Sequence, residues 1–302
     1  MNAATRDLPA QLPTPAAPPW LDANAYPFAS RFTTIEGHRL HYVDEGAGPP
    51  IVFVHGTPSW SWEYRHLIRD LSSDHRCICL DHLGFGLSDH PTDAPYTPAD
   101  HARRLALFLD SLDLQDATFV VHDFGGPIGL SYVLDHPARA RRLVIMNTWM
   151  WGTADLPQLA WASRFFATWF GRWLYLKQGF SARVMLRVAW GRRTPLTPTN
   201  HAHYLAPFPT PESRMATWVL ARELGGSSAW YASLWARRAL LHPKPTLLLW
   251  GAADTAFDLT FLGRWRAELP QATVVEIAGA GHFPQEEAPD EVITAIRAHL
   301  RV

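Results

Sequence analysis

The sequence predicts an α/β fold: a mostly parallel sheet with helices on both faces, interrupted by an all-helical segment. Three observations predict it. Short, β-branched apolar runs alternate with apolar residues at helical spacing between positions 50 and 146. That alternation stops near Trp149 and resumes at Pro245. Two of the apolar runs end in glycine turns, His55-Gly56-Thr57-Pro58 and His122-Asp123-Phe124-Gly125-Gly126, each followed by a helical pattern.

Taken in order, residues 1–30 are rich in Pro and Ala without periodicity, which predicts an extended arm lying on the domain. Residues 32–43 alternate through Glu36-Gly37-His38, a hairpin. A buried strand at 50–54 is followed by a helix at 62–71, and a strand at 77–80 runs into Asp81 and the loop to Asp89. Residues 96–112 form an amphipathic helix with Thr97 as its cap and Pro98 at its first position. The strand at 119–121 leads through the Asp123 turn into a helix closed by His136-Pro137, and 142–146 is a further strand. Helical stretches at 159–176 and 181–190 precede a Pro-punctuated loop. Strands return at 245–250 and 273–277, and a helix at 290–300 follows. The expected organisation is a main domain of 31–149 and 236–302 with a helical cap, 150–235, over the carboxyl ends of the strands, where open α/β sheets bind ligands.

A length of 302 residues suits one large domain with an insertion. Apolar content of 47% with 18% charge is globular rather than disordered. A net charge of −1 without a basic run argues against nucleic acid or an anionic membrane as main partner. Neither a signal pattern nor an apolar run of spanning length is present, so a cytoplasmic location is the default expectation. Cys77 and Cys79 share one face of a strand and are expected as buried free thiols, not a disulfide or a metal site. Many of the 14 tryptophans fall between Trp149 and Trp235, consistent with a lined cavity. The sequence carries no signal for oligomeric state.

Chemistry concentrates at the turn apex. An aspartate there is ionised near neutral pH and needs no base to act as a nucleophile on a saturated carbon bearing a leaving group. The bland reading of Asp123 is an N-cap. Its company decides against that. Asp254 follows the strand that ends at Trp250, and His282 lies in the loop after the next strand. Nucleophile, acid and histidine in that chain order, all at one sheet edge, make a triad. Asp258 is the fallback acid. The backbone N–H groups of Thr57 and Phe124 are expected to form an oxyanion hole. Neither Gly84-Phe85-Gly86 nor the glycines after Asp123 form a dinucleotide fingerprint, so no cofactor is expected.

The chain resembles the haloalkane dehalogenases of the α/β-hydrolase superfamily. The residues that carry the resemblance are Tyr42-Val43-Asp44-Glu45-Gly46, the run from His55 to Arg65, and Gly84 to Asp89. Val121-His122-Asp123, the run from Tyr204 to Pro209, and Gly281-His282 complete it. The resemblance extends from about residue 27 to the end and implies the α/β-hydrolase fold. It further implies hydrolysis of carbon–halogen bonds of small apolar substrates by water, through an alkyl ester on Asp123. His282 would be the base and Asp254 its orienting acid. Members of that family hold the departing halide with N–H donors, one usually a tryptophan after the nucleophile. Here that position is Phe124, and Thr57 stands where an asparagine is frequent. The resemblance therefore offers Trp169 of the cap, and Thr57, as halide-binding residues. Epoxide hydrolases share the aspartate but need two cap tyrosines, for which Tyr175, Tyr204 and Tyr231 are available. A non-catalytic protein of this fold, binding a small apolar ligand, is the third reading.

Overall fold

The computed structural model describes residues 15–301. The arm expected over 1–30 lies outside the described residues for its first 14 positions. Its remainder does lie on the domain: Tyr26 is buried, bonds Ser61 Oγ at 2.5 Å, and packs with Trp20 around Trp60.

Eight strands form one sheet in the order β1-β2-β4-β3-β5-β6-β7-β8. β1 (Arg31–Ile35) and β2 (His38–Glu45) make the expected hairpin, and Glu36 and Gly37 both take positive φ in its turn. β3 (Pro50–Val54), β4 (Arg76–Leu80), β5 (Ala117–His122), β6 (Ala140–Met146), β7 (Thr246–Gly251) and β8 (Thr273–Ile277) run parallel, and β2 meets β4 antiparallel. Every residue of β5 is buried, as a central strand covered on both faces requires. The two faces carry separate cores. One centres on Val52, Val121 and Ile145, the other on Phe53, Val120 and Val144, so successive residues of each strand serve opposite layers. Cys77 and Cys79 are buried free thiols in the second layer.

α1 (Arg65–Leu71), α2 (Pro98–Leu112) and α3 (Gly125–Asp135) connect the first strands. Thr97 caps α2 with Pro98 at the first position, as the sequence predicts, and the Asp100 side chain returns a bond to the cap. Between β6 and β7 the described chain contains helices only: α4 (Pro157–Ala167), α5 (Trp169–Gln178), a π turn at Ser181–Met185 continuing into α6 (Leu186–Ala189), α7 (Pro198–Leu205), α8 (Met215–Gly226) and α9 (Ser228–Ala236). Two expectations are corrected here. The helix predicted over 159–176 is broken at Thr168, whose extended backbone (ψ 162°) and side-chain bond to Gly171 N start α5 afresh. The Pro-punctuated stretch after 190 is not a simple loop, because Pro198 sits at the first position of α7 behind the Thr197 cap and so begins a helix. α10 (Leu259–Glu268), α11 (Pro284–Glu287) and α12 (Pro289–Leu300) complete the described chain. Asp258 is spent as the N-cap of α10, accepting from Thr260 N at 2.9 Å.

Candidate active site

The turn after β5 holds Asp123 at φ 52°, a left-handed conformation that a non-glycine residue adopts only when its surroundings impose it. The imposition is visible. Asp123 N donates to Asn147 O at 3.3 Å, its carbonyl accepts from Gly126 N at 3.0 Å, and Thr148 Oγ1 bonds that same carbonyl. A side chain at Gly56 would collide with the Asp123 carboxylate, and one at Gly125 with the Val54 carbonyl, so both glycines are needed for the close approach of the two turns.

Three side chains from three strand ends converge there. Oδ2 of Asp123 lies 3.3 Å from Nε2 of His282, and Nδ1 of His282 lies 2.8 Å from Oδ2 of Asp254. Asp254 also accepts from Ala256 N at 2.7 Å and from Asn147 Nδ2 at 2.8 Å. Burial would lower the pKa of His282. The charges and hydrogen bonds of Asp254 and Asp123 outweigh it and raise the imidazolium to about 10. Asp254 moves the other way: burial would raise its pKa, but the charge and hydrogen bond of His282, with the Ala256 and Asn147 donors, hold it below its ordinary value. The Thr57 backbone N–H donates to Oδ1 of Asp123 at 2.8 Å.

Behind the turn, His122 Nε2 donates to the His282 carbonyl at 2.7 Å, while its Nδ1 faces Glu63 and Gln285, both at 3.3 Å. The Asp123 turn and the His282 loop are thereby tied to each other. A buried ion pair closes the same side: Arg65 meets Glu286, Nη2 to Oε2 at 2.9 Å, and Tyr204 Oη donates to Glu286 at 2.6 Å.

A cavity of about 240 Å³ opens above Asp123, His282, Thr57 and Phe124. The helical segment walls it with Leu159, Phe166, Tyr175, Leu186 and Leu224, an apolar lining around few polar groups. Two hydroxyls there lack a hydrogen-bond partner among the described residues. Thr57 Oγ1 is buried and unsatisfied. The Tyr175 ring packs edge-on against Phe166 while its hydroxyl meets no acceptor. Burial first, and then the charge of Asp123, raise the Tyr175 pKa, so the phenol keeps its proton.

The sequence-predicted residues Asp123, Asp254, His282, Thr57 and Phe124 are thus brought together. Trp169 is not. Its ring is 81% exposed, packs on Phe170 outside the cavity, and cannot donate to a group within it. Of the three cap tyrosines, Tyr204 is committed to Glu286 and Tyr231 to the Glu223 carbonyl at 3.0 Å, which leaves Tyr175 alone at the site. Asn147 and the His122–Glu63 pair were not foreseen as parts of the site. An asparagine directly after a strand that points at the triad was the available signal for the first.

The family model for the alpha/beta hydrolase fold matches residues 49–289. A cis-3-alkyl-4-alkyloxetan-2-one decarboxylase of Shewanella oneidensis is 39% identical, covering 90% of this chain and 88% of that one. Haloalkane dehalogenase 2 of Mycobacterium tuberculosis is 36% identical, over 91% of this chain and 96% of its own. Among solved structures, a haloalkane dehalogenase of Agrobacterium tumefaciens superposes with a TM-score of 0.81 at 26% identity, covering 90% of this chain and 96% of that one.

Proposed function

Within the α/β-hydrolase family, to which the chain belongs through its haloalkane dehalogenase branch, we propose that it is a hydrolytic dehalogenase of small apolar haloalkanes. The observation that carries this reading is an aspartate, not a serine, at the strained turn, its carboxylate facing an apolar cavity with His282 and Thr57 N–H beside it.

The helical segment 150–235 acts as the cap that excludes bulk water from the nucleophile. The Asp123 carboxylate attacks the carbon bearing the halogen. The new C–O bond forms as the carbon–halogen bond breaks, and the halide leaves with the electron pair. His282, held protonated between two carboxylates, is a poor base until then. Esterification removes the charge of Asp123, the pKa of His282 falls, and the neutral ring takes a proton from water. Hydroxide adds to the ester carbonyl, and the N–H groups of Thr57 and Phe124 hold the oxyanion. Collapse releases the alcohol and restores Asp123. The proton that His282 sheds on esterification passes to solvent and the proton taken from water restores its imidazolium, so each turnover yields alcohol, halide and one proton.

Phe124 offers the leaving group no side-chain donor. Tyr175 Oη and Thr57 Oγ1 take that role. A hydrogen bond to an ion contributes about 1.5–3 kcal/mol, enough for a roughly ten- to a hundredfold effect on bond cleavage.

A second reading draws on the same two features. A phenol donor suits an oxygen leaving group better than a halide. Attack of Asp123 on the ring carbon of a β-lactone would break the C–O bond and free a carboxylate on the neighbouring carbon. Loss of CO2 would then form the alkene and expel Asp123. Epoxide opening is the weaker alternative, since a single tyrosine faces the site.

The deciding experiment offers the purified protein 1-bromobutane, an epoxide and a cis-3,4-dialkyl β-lactone, and measures bromide, diol and CO2. Bromide release lost in Asp123→Asn supports the dehalogenase. CO2 from the lactone without bromide from any alkane replaces it with the second reading.

A further inference from the structure

An overall charge of −1 conceals a strong local asymmetry. Between Asp155 and Glu212 the sequence contains no Asp or Glu and seven Lys or Arg. Five of them, Arg164, Arg172, Lys177, Arg183 and Arg187, lie on the helical elements, and Arg192 and Arg193 follow side by side. Among the described residues, Arg193 alone of the seven makes an ion pair, with Glu291. The same segment exposes its aromatic residues: Trp161 is 68% exposed, Trp169 81%, and Phe170 and Trp173 42% each. These rings form one continuous patch. Trp161 stacks on Phe165 at 5.5 Å, Phe165 meets Phe170 at 6.1 Å, and Phe170 meets Trp169 and Trp173 at 5.8 and 5.6 Å. An exposed aromatic patch of this kind marks an interaction surface.

We propose that the outer face of α4 and α5 docks on an anionic phospholipid surface. Charge complementarity selects the occupant. Indole rings projecting from helices that carry no acidic residue of their own, interspersed with Arg164, Arg172 and Lys177, with Glu212 lending a nearby negative charge to Lys177, match the headgroup layer of an anionic bilayer: the rings enter the acyl boundary and the cations remain among the phosphates. No described helix is long and apolar enough to span a membrane, so the contact is interfacial. The face also adjoins the cavity. Gln158 of α4 and Met185 of the π turn line the cavity and are themselves exposed, so an apolar substrate dissolved in lipid has a short route inward.

The full chain is sedimented with vesicles of phosphatidylcholine, with and without one quarter phosphatidylglycerol, at physiological ionic strength. Binding to the anionic vesicles, at least about tenfold weaker on neutral ones and in high salt, is expected. Trp161→Ala/Trp169→Ala and Arg164→Glu/Lys177→Glu should each lower it about tenfold or more. Neither pair lines the cavity, so turnover of a water-soluble bromoalkane should be unchanged, which shows that both variants are folded. Absence of binding by wild type, or equal binding by wild type and variants, overturns the proposal. A concentration-dependent dimer abolished by the same substitutions, without lipid binding, overturns it too and assigns the face to a second copy of the chain.

Discussion

His282 faces Asp123 across 3.3 Å while its other ring nitrogen is held by Asp254 at 2.8 Å. That separation lets the carboxylate react first and the imidazole second. His282→Gln should therefore form the alkyl ester on Asp123 and fail to hydrolyse it. With a bromoalkane we expect one equivalent of bromide, a stoichiometric mass increase mapped to Asp123, and steady turnover reduced by about 10²–10⁴-fold. Normal turnover with no adduct would end the two-step scheme.

The same pair of carboxylates makes stability depend on pH. The folded His282 pKa, about 10, lies above its ordinary 6.5. Its contribution is complete below 6.5 and is lost as pH rises through 10. Asp254, held low, contributes above its ordinary 3.8 and loses that contribution as pH falls. Urea midpoints of wild type should fall between about pH 6.5 and 10 more steeply than those of His282→Gln. Parallel curves would mean that the imidazolium is not stabilised in the fold.

Asn147 Nδ2 shares Oδ2 of Asp254 with the histidine, and its Oδ1 accepts from Gly251 N at 2.9 Å. Removing the side chain takes one donor from Asp254, which keeps Ala256 N and His282, and leaves the Asn147 carbonyl to which Asp123 N donates. Asn147→Ala should slow ester hydrolysis roughly ten- to a hundredfold, the worth of a hydrogen bond to a charged group, and leave alkylation nearly unchanged. Single-turnover bromide release set against alcohol formation separates the two steps. Equal slowing of both would make Asn147 a general structural residue.

The sheet, the turn apex and the triad were legible because each is written locally: an apolar run, a glycine turn, a chemical group at a strand end. What was missed depends on packing between distant segments. Asn147 becomes part of the site only once β6 and β7 lie side by side. The cap misled for a sharper reason. A helix assumed continuous over 159–176 fixes which residues share a face, and Thr168 resets that phase. Trp169 and Tyr175 are six residues apart on the restarted helix, about 120° around its axis, so one can face solvent while the other faces the cavity. The pattern of apolar residues does not say which, since both are aromatic.

That phase change decides the leaving-group prediction. Trp169→Phe should be silent on every halide, because its ring lies outside the cavity. Tyr175→Phe removes a phenol that reaches the site with its proton retained and no competing acceptor, and keeps the ring that packs on Phe166. Carbon–halogen cleavage should slow roughly ten- to a hundredfold. The loss should be greatest for chlorides, smaller for bromides and least for iodides, because a poorer leaving group carries more charge that needs a donor as the bond breaks. Thr57→Val, which keeps the backbone N–H on Asp123 and deletes the hydroxyl, should show the same order with a smaller loss. Pre-steady-state halide release from matched chloro-, bromo- and iodoalkanes reads all three variants. A Tyr175→Phe enzyme equal to wild type on chlorides would remove the phenol from the leaving-group site, and a slow Trp169→Phe enzyme would place the indole where this structure does not.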